Sequence, residues 1–332
     1  MSAERQPYDA LLIVGFGGPE KPEDVMPFLE NVTRGRAVPR ERMLEVAEHY
    51  HHFGGVSPIN QQVRDLIAHL EPGLRRAGVS LPLYWGNRNW TPLLTDTLRD
   101  MTRRKVRRGL AVVLAAYGSY SSCRQYLENI ETARQAAGPE APRIDKVRLF
   151  YDHPGFVTAN ADHLREALAT PTLVDPVHIV FTAHSIPRSM ADACGYAAQL
   201  EGTCRLVASE VGILRERWSL AYQSRSGRPE DPWLEPDILD HLRALHARGI
   251  RSAVIQPVGF LSDHVEVLYD LDKEARTFCD QLGLRMQRAK TAGCHPRFIE
   301  MLRDLILERI VAPEKTDACA PDCCPPSRRV KS

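Results

Sequence analysis

The sequence predicts an α/β protein made of two doubly wound units of about four strands each. Three observations lead there. Short apolar, β-prone runs alternate with amphipathic helical segments along the chain, the pattern of parallel strands covered by helices on both faces. The 332 residues suffice for two domains of ordinary size, each with its own core. The stretch Gly138–Pro142, GPEAP, breaks the alternation near the middle and marks a boundary. No repeat of solenoid period is present.

Taken in order, strands are expected at Ala10–Phe16, Leu83–Asn87, Leu110–Ala116, Lys146–Tyr151, His178–Ala183, Trp218–Gln223, Ser252–Pro257 and Arg285–Lys290. Helices are expected at Gln61–Leu70, Pro92–Val106, Cys123–Ala137, Phe156–Leu168, Tyr196–Val211, Pro236–Ala247 and His264–Leu282. The organisation that follows is an N-terminal domain over 1–142 and a C-terminal domain over 143–295. A last helix, Pro296–Ile310, packs back on the first domain, and a Cys-rich tail covers 311–332. In open α/β sheets the ligand sits beyond the carboxyl ends of the strands. Those ends read GFGGP (15–19), GNRNW (86–90), YGSY (117–120), HSIP (184–187), QSRSG (223–227) and the segment from Gly259 to His264, all polar or Gly-rich. GFGGPE lacks the third Gly of a dinucleotide fingerprint, and no GKS or GKT occurs, so a nucleotide is a weak reading.

Composition excludes several classes. Lys plus Arg total 43 against 42 for Asp plus Glu, a formal net charge of +1, which gives no signal for nucleic acid. No apolar run is long enough to span a bilayer, and the opening MSAERQPYD carries no signal-peptide core. A soluble, cytoplasmic protein without stable membrane insertion is expected, with a monomer as the default. Eight cysteines in such a compartment suggest metal or redox chemistry, or core filling, over a disulfide framework.

The stretch GFLSDHVEVLYDLDKE (259–274) stands out. Ser262 and Asp263 are good capping residues for a helix. Glu266, Asp270 and Glu274 recur every fourth residue and stack along one face, with His264 and Asp272 pointing elsewhere. Like charges at that spacing repel. A solvated acidic face is the plain reading, yet Val265, Val267, Leu268 and Leu271 leave little of this helix for water. Carboxylates on a partly buried helix need a cation or a proton. His184 ends a strand of the same half-chain, and an imidazole converging with those carboxylates supplies a proton acceptor or metal ligand.

The tail holds Cys319, Cys323 and Cys324 in CAPDCC, interleaved with prolines. Thiols so spaced, with no core to fill, read as a soft-metal or iron–sulfur site; the alternative is a tail with free thiols. A fourth ligand must come from elsewhere. Cys123 sits at a helix start, where the dipole favours a thiolate. Cys194 and Cys294 are alternatives, and Cys204 and Cys279 read as packing residues.

GFGGPE (15–20), ENVTRGR (30–36), FGGVSPIN (53–60), YWGNRNW (84–90), SYSSCRQY (119–126), HSIP (184–187), AYQSRSG (221–227) and GFLSDHVEVLYDLD (259–272) together resemble the ferrochelatase family, in order from about residue 8 to 310. The CAPDCC tail looks like the iron–sulfur form of its Gram-positive branch. The resemblance implies the chelatase fold: two Rossmann-like domains, each with a four-stranded parallel sheet flanked by helices, and a porphyrin cleft. It implies a lyase that inserts Fe²⁺ into a porphyrin during haem biosynthesis. His184 and Glu266 would be catalytic and ligate the incoming iron, with Asp270 and Glu274 continuing the path. Phe16, Arg34, Tyr50, Ser57 and Tyr120 would touch the porphyrin. Cys123, Cys319, Cys323 and Cys324 would hold a [2Fe–2S] cluster.

Two positions depart from the family pattern. Phe16 stands where many bacterial relatives carry Tyr and offers iron no hydroxyl. His49 stands where relatives place an Arg near the propionates. No apolar lip is visible between Phe53 and Arg64, which favours coproporphyrin III, with its four propionates, over protoporphyrin IX. A tetrapyrrole carrier without catalysis and a cobalt or nickel chelatase are the further alternatives.

Overall fold

The computed structural model describes residues 7–35, 38–228, 230–313 and 323–326. It divides into two compact units, each built on a four-stranded parallel sheet. The first unit runs to Leu114, takes up Cys123–Arg148 and resumes from Ile299 through residue 313; the second holds Ala115–Ser122, Leu149–Phe298 and residues 323–326.

In the first unit β1 (Ala10–Gly15) is central and fully buried, as its unbroken apolar run requires. It pairs with β2 (Leu83–Asn87) and β3 (Arg108–Val113), and β4 (Arg143–Lys146) adds to β3, giving the order β2-β1-β3-β4. The helices are α1 (Val25–Thr33), α2 (Arg40–His52), α3 (Ile59–Arg76), α4 (Leu94–Arg103) and α5 (Gln125–Ala137). The expected strand at Lys146–Tyr151 is displaced to Arg143–Lys146. An edge strand needs no apolar face on both sides, so the polar RIDK pairs while the apolar residues beyond it fill core. Phe150 is buried against Phe156 and Phe298 in the second unit, at 5.9 and 6.0 Å between rings. The boundary expected at residue 142 accordingly falls between Arg148 and Leu149.

The second sheet repeats the first, in the order β6-β5-β7-β8. Its strands are β5 (Val177–His184), β6 (Trp218–Gln223), β7 (Ser252–Gln256) and β8 (Arg285–Arg288). Around them run α6 (Pro154–Leu168), α7 (Arg188–Ala191), α8 (Tyr196–Val211), α9 (Ile238–Ala247), α10 (Val265–Val267), α11 (Arg276–Leu282) and the start of α12 (Pro296–Val311). From Ile299 on, α12 groups with the first unit, where Glu308 meets Arg148 at 3.2 Å. Among the described residues no helix is long and apolar enough to cross a membrane.

At the amino end of this sheet, away from His184, a half-buried relay joins three elements. His178 of β5 lies 3.0 Å from the Ser219 hydroxyl of β6, which lies 2.6 Å from His241 of α9. Burial, then His241 and the cations Arg248, Arg217 and Arg215, pushes His178 down to about 4. Between about pH 6.5 and 4 the unfolded chain therefore binds the proton that the folded chain refuses, and the His178 contribution to stability falls as pH is lowered through that window. We expect the difference in urea-unfolding stability between wild type and His178→Gln to shift against wild type by about 1–2 kcal/mol between pH 7.5 and 5, whatever slope the other titrating groups give to both proteins. An identical pH slope in the variant would refute this.

Candidate active site

The second unit collects the sequence-predicted chemistry. β5 and β6 end level, with His184 opposite Gln223 in the register. The Tyr196 hydroxyl donates to the His184 carbonyl at 3.0 Å and holds the strand end. His184 Nδ1 donates to the Ser185 carbonyl. A carbonyl accepts only, so in the neutral ring Nδ1 carries the proton and Nε2 the lone pair. That Nε2 faces Glu266 Oε1 at 4.0 Å.

The helix carrying Glu266 does not begin as expected. It opens at Val265 with His264 in the capping position and no side-chain cap. Asp263 is diverted from capping because its carboxylate pairs with Arg288 at 2.8 Å. From Leu268 to Ala275 the backbone widens into a π-helical turn, of the kind concentrated at functional sites. Val267, Leu271, Ala275 and Cys279, again four apart, are fully buried in the core. Each of the first three directly follows a carboxylate of the row, so burying one face holds Glu266, Asp270 and Glu274 along its rim.

Burial raises the Asp270 carboxyl to about 7, and the neighbouring Glu266 and Glu274 add to the rise. The Ser224 hydroxyl donates to Asp270 Oδ2, and Gln223 Nε2 donates to the same oxygen at 3.3 Å. Ser224 holds a left-handed backbone, φ 60°, a strained conformation for a residue with a side chain. His264, expected to point elsewhere, joins the site: its Nδ1 is 4.0 Å from Glu266 Oε2. Its ring packs on Phe260 at 5.3 Å, and burial pushes the imidazole below its ordinary value while the Glu266 charge pulls the other way. Glu266 thus stands between two imidazoles, and the periodicity revealed neither this nor the Gln223 and Ser224 contacts.

In the first unit the loops beyond β1 and β2 are tied together by amides. Asn60 donates to the Gly18 and Thr91 carbonyls at 3.3 and 3.1 Å, and Asn87 donates to Asn60 Oδ1 at 3.2 Å. Gly18 leaves no room for a side chain, since a Cβ there would meet Ile59 at 2.7 Å and Ser57 at 2.8 Å. That close approach seats the buried Ser57 against GFGGPE. Phe16, 36 % exposed, borders an aromatic patch in which Phe28 meets Phe16, Tyr50 and Trp90 at 6.3, 5.8 and 6.2 Å. The Arg88 guanidinium lies 5.6 Å from the Phe16 ring, and the buried donors Trp90 Nε1 and Asn89 Nδ2 meet no acceptor among the described residues. Arg34 ends α1 and donates to Asn31. Phe16, Tyr50 and Ser57 therefore gather in one patch of this unit. Tyr120 lies in the segment belonging to the second unit, where Tyr117 donates to the Val258 carbonyl at 2.9 Å.

Cys319 lies outside the described residues. Cys323 and Cys324 are half-buried, and the Cys324 thiol is in hydrogen-bond contact with Cys194. Cys123 is buried in a short π-helical turn over Tyr120–Arg124, one turn before α5. Among the described residues no three metal-ligating side chains gather as a metal site. Cys204 and Cys279 are fully buried packing residues.

A family model described as Ferrochelatase matches residues 8–310. A Rhodopirellula baltica protein named ferrochelatase is 52% identical, covering 97% of this chain and 95% of its own. Proteins named coproporphyrin III ferrochelatase from Streptomyces coelicolor and Nocardia farcinica are 51% and 48% identical; they cover 92% and 97% of this chain, and 86% and 97% of their own. Among solved structures, SirB from Bacillus subtilis with Fe³⁺ superposes with a TM-score of 0.56 at 13% identity, over 92% of this chain and 96% of its own. CbiX, from siroheme biosynthesis in denitrifying bacteria, gives 0.50 at 14%, over 90% and 98%. At such identities these two show the shared chelatase fold.

Proposed function

From the premise that the chain belongs to the ferrochelatase family, we propose that it inserts Fe²⁺ into coproporphyrin III, forming Fe-coproporphyrin III and releasing both pyrrole protons. The names of the relatives at about half identity support the substrate. The observation that carries the mechanism is the His184 Nε2 lone pair facing Glu266 at 4.0 Å. A neutral imidazole with a fixed tautomer accepts a pyrrole proton or ligates iron at Nε2, and Glu266 shares either task. Asp270, with its carboxyl raised to about 7, takes up and gives back a proton near neutral pH at little cost. Glu274 continues the row towards solvent, so iron and protons share a line of carboxylates.

Phe16 borders the porphyrin face without ligating iron. Arg34, Tyr50, Ser57 and Tyr120 are the propionate and ring contacts, with charge-assisted bonds from Arg34. We assign the tail cysteines Cys319, Cys323 and Cys324, with Cys123, to a [2Fe–2S] cluster on their spacing and the family resemblance alone. Metal insertion changes no oxidation state, so no step passes through the cluster. The protein acts as a monomer in the cytoplasm.

The decisive experiment gives the purified protein Fe²⁺ without oxygen and follows the absorbance change with each porphyrin. Coproporphyrin III is expected to turn over roughly tenfold or more faster than protoporphyrin IX. The reverse order would move the substrate, and tight porphyrin binding without insertion would leave a carrier. Acid-labile sulfide in the same preparation supports the cluster, and its absence removes it.

A further inference from the structure

The carboxylates between Asp263 and Glu274 have unequal surroundings. Arg288, at the end of β8, has a side chain only 13% exposed. Its Nε donates to Asp272 Oδ1 at 2.8 Å and its Nη1 to Asp263 Oδ1 at 2.8 Å. Asp263 closes the loop that leads into the helix, and Asp272 lies inside the π-helical turn. One guanidinium therefore spans the segment that contains His264, Glu266 and Asp270. We propose that Arg288 is a positioning residue: it takes Asp263 and Asp272 as anchors and so fixes where Glu266 and Asp270 stand relative to His184. The inference rests on the metal-insertion reading for what those two carboxylates do.

Three physical points support it. A π-helical turn is rare and poorly self-sustaining, so an outside tether matters more there than on an ordinary helix. The planar fork of Arg reaches two carboxylates at once, whereas a Lys ammonium is a single point charge on a flexible stem. Asp263 and Asp272 each approach the same cation in a half-buried place, so removing it takes away a charge that both acids share and loosens the turn between them. Arg276 reaches Asp272 only at 3.8 Å. The tether also sorts the charges: Asp263 and Asp272 are neutralised by Arg288, while Glu266 is left facing His184 and His264.

The rival account is that Arg288 only secures β8, an edge strand whose pairing in the sheet is to β7. Arg288→Lys and Arg288→Met separate the two, measured at 25 °C with the near-ultraviolet circular dichroism of each variant checked. For Arg288→Met the expected result is a ~10–100-fold fall in kcat with the porphyrin KM within about twofold of wild type. Arg288→Lys should recover part of the loss and carries the test alone if the Met variant does not fold. Hydrogen–deuterium exchange should quicken about tenfold across residues 263–275 and stay unchanged in β5 to β7. Wild-type kcat in a folded Arg288→Met would overturn the proposal, as would faster exchange spread evenly over the second unit. A wild-type protein that inserts no metal would sink the metal-insertion reading instead, and the exchange pattern would still decide whether Arg288 holds the turn.

Discussion

Replacing His184 by Ala is expected to lower the rate of iron insertion by ~10³-fold or more while porphyrin still binds. The expectation follows from the fixed tautomer. Nδ1 is committed to the Ser185 carbonyl, so Nε2 is the one nitrogen free to take a proton or a metal, and no nearby group replaces it in place. His264 is the nearest candidate, yet its Nδ1 already approaches Glu266 and its ring is wedged on Phe260. Glu266→Gln keeps the shape and removes the charge, and a loss of comparable size is expected. Fluorescence quenching of the porphyrin measures binding, and anaerobic insertion measures rate. Equal loss of both would mean that His184 and Glu266 hold the ligand rather than act on it.

A single methyl at position 259 is expected to damage both stability and activity. A Cβ on Gly259 would sit 2.5 Å from Ala183 Cβ and 2.6 Å from Ala183 Cα. The second neighbour is backbone and cannot turn aside, so the loop after β7 must lift from the end of β5. The Gly259 N–H to Thr182 carbonyl bond, 2.9 Å, weakens with it. Overpacking of this kind costs about 3 kcal/mol. The displaced loop carries Asp263 and His264, and the strand end it leaves carries His184. Misplacement of one against the other by an ångström is enough for a roughly 100-fold loss of insertion. Urea unfolding and the insertion assay check the two halves of the prediction. Ala183→Gly in the same chain should restore only part, because Cα remains. Wild-type stability and rate in Gly259→Ala would show that the close approach carries no weight.

Both predictions concern residues whose importance was unequally visible. His184 was legible because it ends an apolar strand, and ligands gather at such ends. The acidic row was legible because its period of four matches one helix face. Gly259 was visible as a glycine at a strand end, but the reason for it is a contact with a strand some seventy-five positions away in the chain. The misplaced fourth strand shows the complementary failure. The apolar run after Lys146 resembled a strand, yet hydropathy reports burial and not pairing, and an edge strand pairs without being deeply buried. The expected cap at Ser262–Asp263 failed for a related reason, since propensity weighs a residue's neighbours in sequence while the Asp263 carboxylate found Arg288 across the fold.

By itself the sequence determined the alternation of strands and helices, hence two parallel sheets, and the residue types that converge at the ends of β5 and β7. Those features depend on local periodicity, which the order of residues encodes directly. Only the tertiary structure decided which groups meet. It widened the acidic helix into a π-helical turn, set Glu266 between His184 and His264, gave Asp270 to Ser224 and Gln223, and gave Asp263 and Asp272 to Arg288. Such pairings depend on distances between residues far apart in the chain, and many charged partners in the sequence satisfy the same pattern. Packing of the buried row Val267, Leu271, Ala275 and Cys279 selects one of them, because burying that face fixes where every carboxylate beside it must stand.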